Sequence, residues 1–139
     1  MPSIKKKNRC FACGPYNPDG LHLIFHYDPK KIEAACELRI SPKYQGATGF
    51  AHGGIIATLL DEAMAKANGM GGVIAVTINL DVRYRKMVPL RKPLVLSGKR
   101  IRAIGRKLYL RSELRNQAGD VLADARGIFL RVDPERLGR

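Results

Sequence analysis

The chain has 139 residues, 45% of them hydrophobic, which suits one domain around a single core. No apolar run reaches the roughly eighteen residues of a spanning helix, so no transmembrane helix is expected. Three cysteines are odd in number and too few for a disulfide framework, and a net charge of +13 points to polyanionic partners, nucleic acid or a phosphorylated cofactor, if it is not merely a solubilising surface.

Residues 1–20 read as a loop-rich arm. Its basic start has no apolar region behind it and does not read as a secretion signal, so cytoplasmic residence with reduced thiols is expected. The arm ends in Asn17-Pro18-Asp19-Gly20, a strong turn signal. Residues 21–27 read as a strand, Asp28-Pro29-Lys30 as a tight connection and residues 32–40 as a second strand, together a hairpin. A polar loop over residues 41–51 leads to an apolar helix from about Gly53 to Asn68, stopped by Gly69, Gly71 and Gly72. Strands are then expected over 73–86, 94–104, 107–115 and 121–132, with hairpin turns at Gly105-Arg106 and at residues 116–120. No internal repeat is visible, which leaves a single domain over residues 21–133 and a basic tail at 134–139.

Two strands, one long helix and four strands cannot cover both faces of a parallel sheet. The economical packing is α+β: one central helix wrapped by a curved antiparallel sheet of five to six strands. Alternation puts Leu108, Leu110 and Leu114 on one face of the fifth strand and Lys107, Tyr109, Arg111, Glu113 and Arg115 on the other. In the last strand Val121, Ala123, Ala125, Gly127 and Phe129 share a face small enough for the helix to approach closely. On the helix, Ile55, Ile56, Leu59, Leu60, Ala63 and Ala67 form the stripe expected to meet the sheet.

The chemistry concentrates at residues 49–62. His52-Gly53-Gly54 opens the helix, where backbone N–H groups lack partners and carry partial positive charge, the makings of an oxyanion site. Asp61 lies off the apolar stripe among Ala57, Thr58, Ala65 and Asn68 and is the candidate base or nucleophile. Glu62 precedes Lys66 by one turn and is expected to form an ion pair with it. Eight residues separate Gly53 from Asp61, about 12 Å along the axis, too far for one carbonyl to meet both. Either the two features are unrelated, or the acid comes from a second copy whose helix lies antiparallel alongside.

His52-Gly53-Gly54 followed by Asp61 resembles the HGG signature of hotdog-fold thioesterases of the phenylacetic-acid-pathway (PaaI-like) type. The start Cys10-Phe11-Ala12-Cys13-Gly14-Pro15-Tyr16-Asn17-Pro18-Asp19-Gly20-Leu21 resembles the CFxCGxxNPxGL opening of one branch, and residues 77–90 resemble the third-strand pattern. The resemblance covers roughly residues 10–132. It implies the hotdog fold and hydrolysis of an acyl-CoA thioester, with coenzyme A as part of the substrate and no separate cofactor or metal, in a homodimer or homotetramer. It assigns Asp61 as nucleophile or base, Gly53 as the oxyanion N–H donor, Gly54 to close approach at the helix start and His52 to shaping the loop or contacting substrate. Related enzymes often carry Asn or Gln six residues before the histidine; here Gly46 stands there, with Gln45 one position earlier.

The charge is lopsided: residues 83–139 hold sixteen Lys and Arg against five acids, residues 1–82 nine against seven. Arg83, Arg85 and Lys86 are therefore candidate clamps for the CoA phosphates, and Thr58, Asn68 and Gln45 candidate substrate contacts. No metal site is expected. Cys10 and Cys13 have metal-ligand spacing, but His22 and His26 lie about 13 Å apart along an extended strand and cannot both join them; a site using the two cysteines and one histidine stays open, and packed thiols in the arm are the favoured reading. Cys36 is expected in the core. The alternatives are a non-catalytic acyl-CoA binder or sensor on the same fold and a nucleic-acid-binding protein.

Overall fold

The computed structural model describes residues 7–133 and 135, so the basic tail falls outside the described residues except at 135. A hairpin of β1 (His26–Asp28) and β2 (Glu33–Leu38) precedes α1 (Gly53–Gly69), followed by β3 (Ala75–Tyr84), β4 (Leu94–Ile104), β5 (Lys107–Asn116) and β6 (Val121–Arg131). All pairings are antiparallel in one six-stranded sheet of order β1-β2-β4-β5-β6-β3, wrapped about the single helix. This is the hotdog arrangement expected above. No helix among the described residues is long and apolar enough to cross a membrane.

The first strand is shorter than expected. Residues 21–25 have no ladder partner, because Leu21 and Leu23 donate instead to the Phe11 and Ala12 carbonyls of the arm. His22 also has a positive φ of 53°, which breaks the strand's run.

The helix lies close to the sheet because glycine and alanine floor its bed. A Cβ at Gly98 on β4 would fall inside the carbonyl of Ala63, and one at Gly127 on β6 would sit 2.9 Å from the Met64 sulfur. Ala63, Ala67, Ala123 and Ala125 are all buried. The small stripe on β6 was legible in the sequence; the tighter approach at Gly98 was not. The helix stripe also needs correction: Met64 and Asn68 are buried with it, whereas Ile55 is only half-buried. Bulges between Thr77 and Asn79 and between Arg100 and Arg102 bend β3 and β4 around the helix.

Two backbone ties fix the helix entrance. The Ala51 N–H donates to the Val88 carbonyl and the Leu90 N–H to that of Gly49, stitching the loop before α1 to the segment after β3. Beyond Gly69, the Val73 N–H returns to the Asn68 carbonyl and Gly72 takes a φ of 83°, which ends the helix and turns the chain into β3.

Candidate active site

His52 is the N-cap of α1. Its Nδ1 accepts from the Gly54 N–H at 2.9 Å, so the cap's own side chain satisfies one of the free donors at the helix start. A Cβ at Gly54 would press on that ring at 3.1 Å. Among the described residues the Gly53 N–H has no acceptor, while the Gly53 carbonyl accepts from the Tyr84 hydroxyl at 2.7 Å. Gly53 thus keeps a free donor with its carbonyl anchored to the end of β3. Gly46 backs the loop: a Cβ there would lie 2.9 Å from the His52 Cα, so any side chain would displace the cap.

Asp61 is half-buried on the helix flank facing β3, and its Oδ1 accepts from the Thr77 hydroxyl at 2.7 Å. A charge-assisted bond of this kind fixes the carboxylate's rotamer and leaves Oδ2 for other chemistry. Neither Thr77 nor Tyr84 was singled out from the sequence as a site residue. Thr77 lies opposite Phe129 and Tyr84 opposite Ala123, both across from buried residues of β6, and that register is the signal that turns them toward the helix.

Within one chain, His52, Gly53, Gly54 and Tyr84 gather at the helix start. Asp61 and Thr77 lie two turns further along the same helix flank. The remaining candidates are dispersed. The Gln45 Oε1 accepts from the Gly49 N–H at 2.8 Å, closing its own loop. The Thr58 hydroxyl donates to the Gly54 carbonyl at 2.9 Å and so serves the helix backbone. Asn68 is buried at the far end of α1, its Oδ1 3.4 Å from an Arg100 guanidinium nitrogen on β4.

An open cleft of about 450 Å³ borders the helix start, lined by Ala51, Gly53, Tyr84, Arg85, Lys86 and Met87 among others. Arg85 pairs with Asp124, and Lys86 lies 3.8 Å from Asp120. Arg83 is exposed on β3 and does not line the cleft.

Glu62 does not pair with Lys66 as expected; that pair is absent from the ion pairs among the described residues. Its carboxylate turns instead to the arm, where the Cys10 sulfur lies 4.0 Å away. Burial pushes Glu62 above the ordinary carboxylate range, against the opposing pull of Cys13 and Lys66. Burial, reinforced by Glu62, also pushes the Cys13 thiol up to about 11. Cys36 is in the core as expected.

Comparison with known proteins fits this geometry. The model of the thioesterase superfamily matches residues 48–123, the stretch from the loop before the helix into β6. Acyl-coenzyme A thioesterase THEM4 from Bos taurus is 34% identical over 122 residues, covering 85% of this chain and 50% of the relative, so the chain spans about half the length of that protein. The crystal structure of another thioesterase superfamily protein superposes with a TM-score of 0.83 at 30% identity, covering 89% of this chain and 63% of the other. A hypothetical thioesterase from Streptococcus pneumoniae TIGR4, solved with coenzyme A, has the same fold, with a TM-score of 0.72, 19% identity, and coverage of 79% and 88%. It has also been solved as an aspartate-to-alanine and a threonine-to-alanine variant, sixteen positions apart. From the family match over more than half of its length, the chain belongs to the thioesterase superfamily.

Proposed function

We propose that this protein hydrolyses an acyl-CoA thioester to the free acid and coenzyme A, in a homodimer or a dimer of dimers whose two sites each draw on both subunits. The observation that carries this reading is the Asp61–Thr77 pair at 2.7 Å, held on the flank of the helix whose first N–H is free. The pneumococcal variants support it, because sixteen positions also separate Asp61 from Thr77.

In the proposed site, Gly53 of one subunit donates to the thioester oxygen and Asp61 of the other addresses the acyl carbon. Two routes fit the free Oδ2. Asp61 attacks the carbon, expels CoA thiolate and leaves a mixed anhydride that water cleaves. Alternatively it takes a proton from a water that attacks directly. Labelled solvent oxygen found in the Asp61 carboxylate after a single turnover identifies the first route with water attacking the Asp61 carbonyl, and hydroxylamine trapping of the anhydride identifies it when water attacks the acyl carbon; the second route labels the product alone and gives nothing to trap. A thioester is already activated, so one donor and one ionised carboxylate suffice, and the reaction needs no cofactor beyond the CoA of the substrate.

The dimer reading is supported by β3. It is the long edge strand of the sheet, and Ile78, Leu80 and Tyr84 on it are exposed. Pairing two such edges would cover them and bring two Asp61 flanks together. In the cleft beside Gly53, Arg85 and Lys86 are proposed to hold the CoA phosphates by exchanging Asp124 and Asp120 for phosphate oxygens; Arg83, outside the cleft, is left without that role. Three unpaired cysteines fit a reducing compartment, so the cytoplasm is the proposed location.

The test is a panel of acyl-CoA esters with free-thiol detection, run against Asp61→Asn. Turnover that falls by about 10³-fold or more in the variant supports the mechanism. Turnover unchanged by the substitution overturns it. Gly46, packed against His52 at the position where the family resemblance implies Asn or Gln, favours a second reading, an acyl-CoA sensor; tight binding without release of thiol identifies that case. Duplex DNA is expected not to compete with the ester.

A further inference from the structure

The arm and the back of the helix meet at a cluster that the hydrolytic reading does not use. The Cys10 and Cys13 sulfurs and a Glu62 carboxylate oxygen all lie within 4.8 Å of one another. We propose that Cys10, Cys13 and Glu62 form a site for a thiophilic divalent cation of the zinc class, which fastens the N-terminal arm to the catalytic helix.

The geometry is close to that of a bound ion. Zinc–sulfur and zinc–oxygen bonds of about 2.3 and 2.1 Å in a tetrahedron separate neighbouring ligand atoms by roughly 3.5–3.8 Å. The Cys10 sulfur and the Glu62 oxygen are already 4.0 Å apart, so small side-chain rotations complete the cage. Three protein ligands leave one tetrahedral position for a water.

The surroundings are shaped for such an ion. The Gly14 N–H donates to the Cys10 carbonyl at 2.8 Å, and a Cβ at Gly14 would collide with the Cys10 amide, so this glycine permits the turn that aims both sulfurs at the helix. Asn8 accepts from the Cys10 N–H at 3.0 Å and directs its amide at the Cys13 sulfur at 3.9 Å, an outer partner for a thiolate. Charge balances as well. Two thiolates and a carboxylate carry three negative charges, a divalent ion offsets two, and the Lys66 ammonium, which acts on both Cys13 and Glu62, offsets the third. Spacing alone could not reveal the third ligand: it is 49 residues from Cys13, and the histidines that the sequence offered are not part of the cluster.

The experiment is a cobalt titration of the full, reduced, chelator-stripped protein. One equivalent of Co²⁺ is expected to bind with thiolate-to-cobalt charge-transfer absorption and the intense visible bands of tetrahedral coordination, and Zn²⁺ is expected to displace it. Saturating zinc should raise Tm by roughly 5–10 °C. Cys13→Ser should abolish the charge-transfer band, Glu62→Gln should weaken binding by about tenfold or more while keeping it, and Asn8→Ala should weaken it by about tenfold. A reduced wild-type protein that shows no thiolate–cobalt band overturns the proposal whether or not any variant folds. So does a band that survives replacement of both Cys10 and Cys13. None of these readouts depends on hydrolysis, so the site stands or falls apart from the proposed activity.

Discussion

β3 and β5 are both ten residues long, both lie in the same sheet, and they meet opposite fates. Along β5, Leu108, Leu110, Ser112 and Leu114 are buried in strict alternation with exposed or half-buried neighbours. Along β3, no residue is buried, although Ala75, Val76, Ile78, Leu80 and Val82 are apolar. Both run under the helix, but β5 lies between β4 and β6, whereas β3 has a strand neighbour on one side only. The difference separates two kinds of sequence information: β5 is written for neighbours its own chain supplies on both sides, and β3 keeps an open edge that a second copy covers in the proposed dimer. The candidate acid is tied to β3, so the half of the sheet with the open edge is also the half where the chemistry is proposed.

The largest effect should come from the finished half. Gly98→Val puts a branched side chain into the Ala63 carbonyl, and the helix cannot lift without opening the core around Leu59, Leu60 and Leu96. We expect a loss of about 3–5 kcal/mol, or no folded protein, in chemical denaturation. A cost below about 1 kcal/mol would mean that the helix is not seated as described. Leu80→Lys makes the complementary test on β3. Leu80 lies opposite Gly127 on the helix side of the sheet and is 37% exposed. A lysine there should leave the monomer's denaturation midpoint within about 0.5 kcal/mol of wild type. It should split the proposed dimer in sedimentation and lower turnover by roughly 100-fold. Retained dimer and retained turnover would break the comparison.

Thr77→Val sharpens it within β3 itself. The substitution keeps the shape and removes the donor to Asp61. A hydrogen bond to a charged group is worth about 1.5–3 kcal/mol. The expected result is a fall in kcat of about 10–100-fold with KM little changed, restored by Thr77→Ser. A change in KM alone would make Thr77 a substrate contact instead of a partner of Asp61.

The same contrast explains what could be read from the sequence. Where a strand's alternation matched one helix stripe, as in β5 and β6, element bounds and core faces were legible to within a residue or two. Asp61 and the His52-Gly53-Gly54 start were legible because type and spacing alone define them. Thr77 and Tyr84 were not, because their roles depend on which face of β3 the Thr77/Asn79 bulge presents to the helix. Thr58 and Gln45 looked like free polar groups, but each spends an oxygen on nearby backbone, a local competition that residue type does not reveal. The placement of Glu62 failed for a related reason: an i,i+4 partner was assumed where a distant arm competes for the same carboxylate.

The last effect belongs to the closed half again, and it is visible only at high pH. Cys36 on β2 pairs with Leu96 of β4 and is 2% exposed, and burial pushes its thiol from 9.0 up to about 11. The fold therefore favours the neutral thiol. Below pH 9 both folded and unfolded chains hold the proton, and the contribution of Cys36 is complete. Between about 9 and 11 the unfolded chain loses its proton first, so stability falls with rising pH, by at most about 2–3 kcal/mol when the folded thiol finally ionises. Cys13 titrates in the same window, so the diagnostic quantity is the difference between wild type and Cys36→Ala. Removing the thiol costs some packing at every pH, but that cost should shrink as pH rises from 9 to 11. If the two curves run parallel, Cys36 ionises as freely in the fold as in the unfolded chain, and the half of the sheet described here as closed admits water.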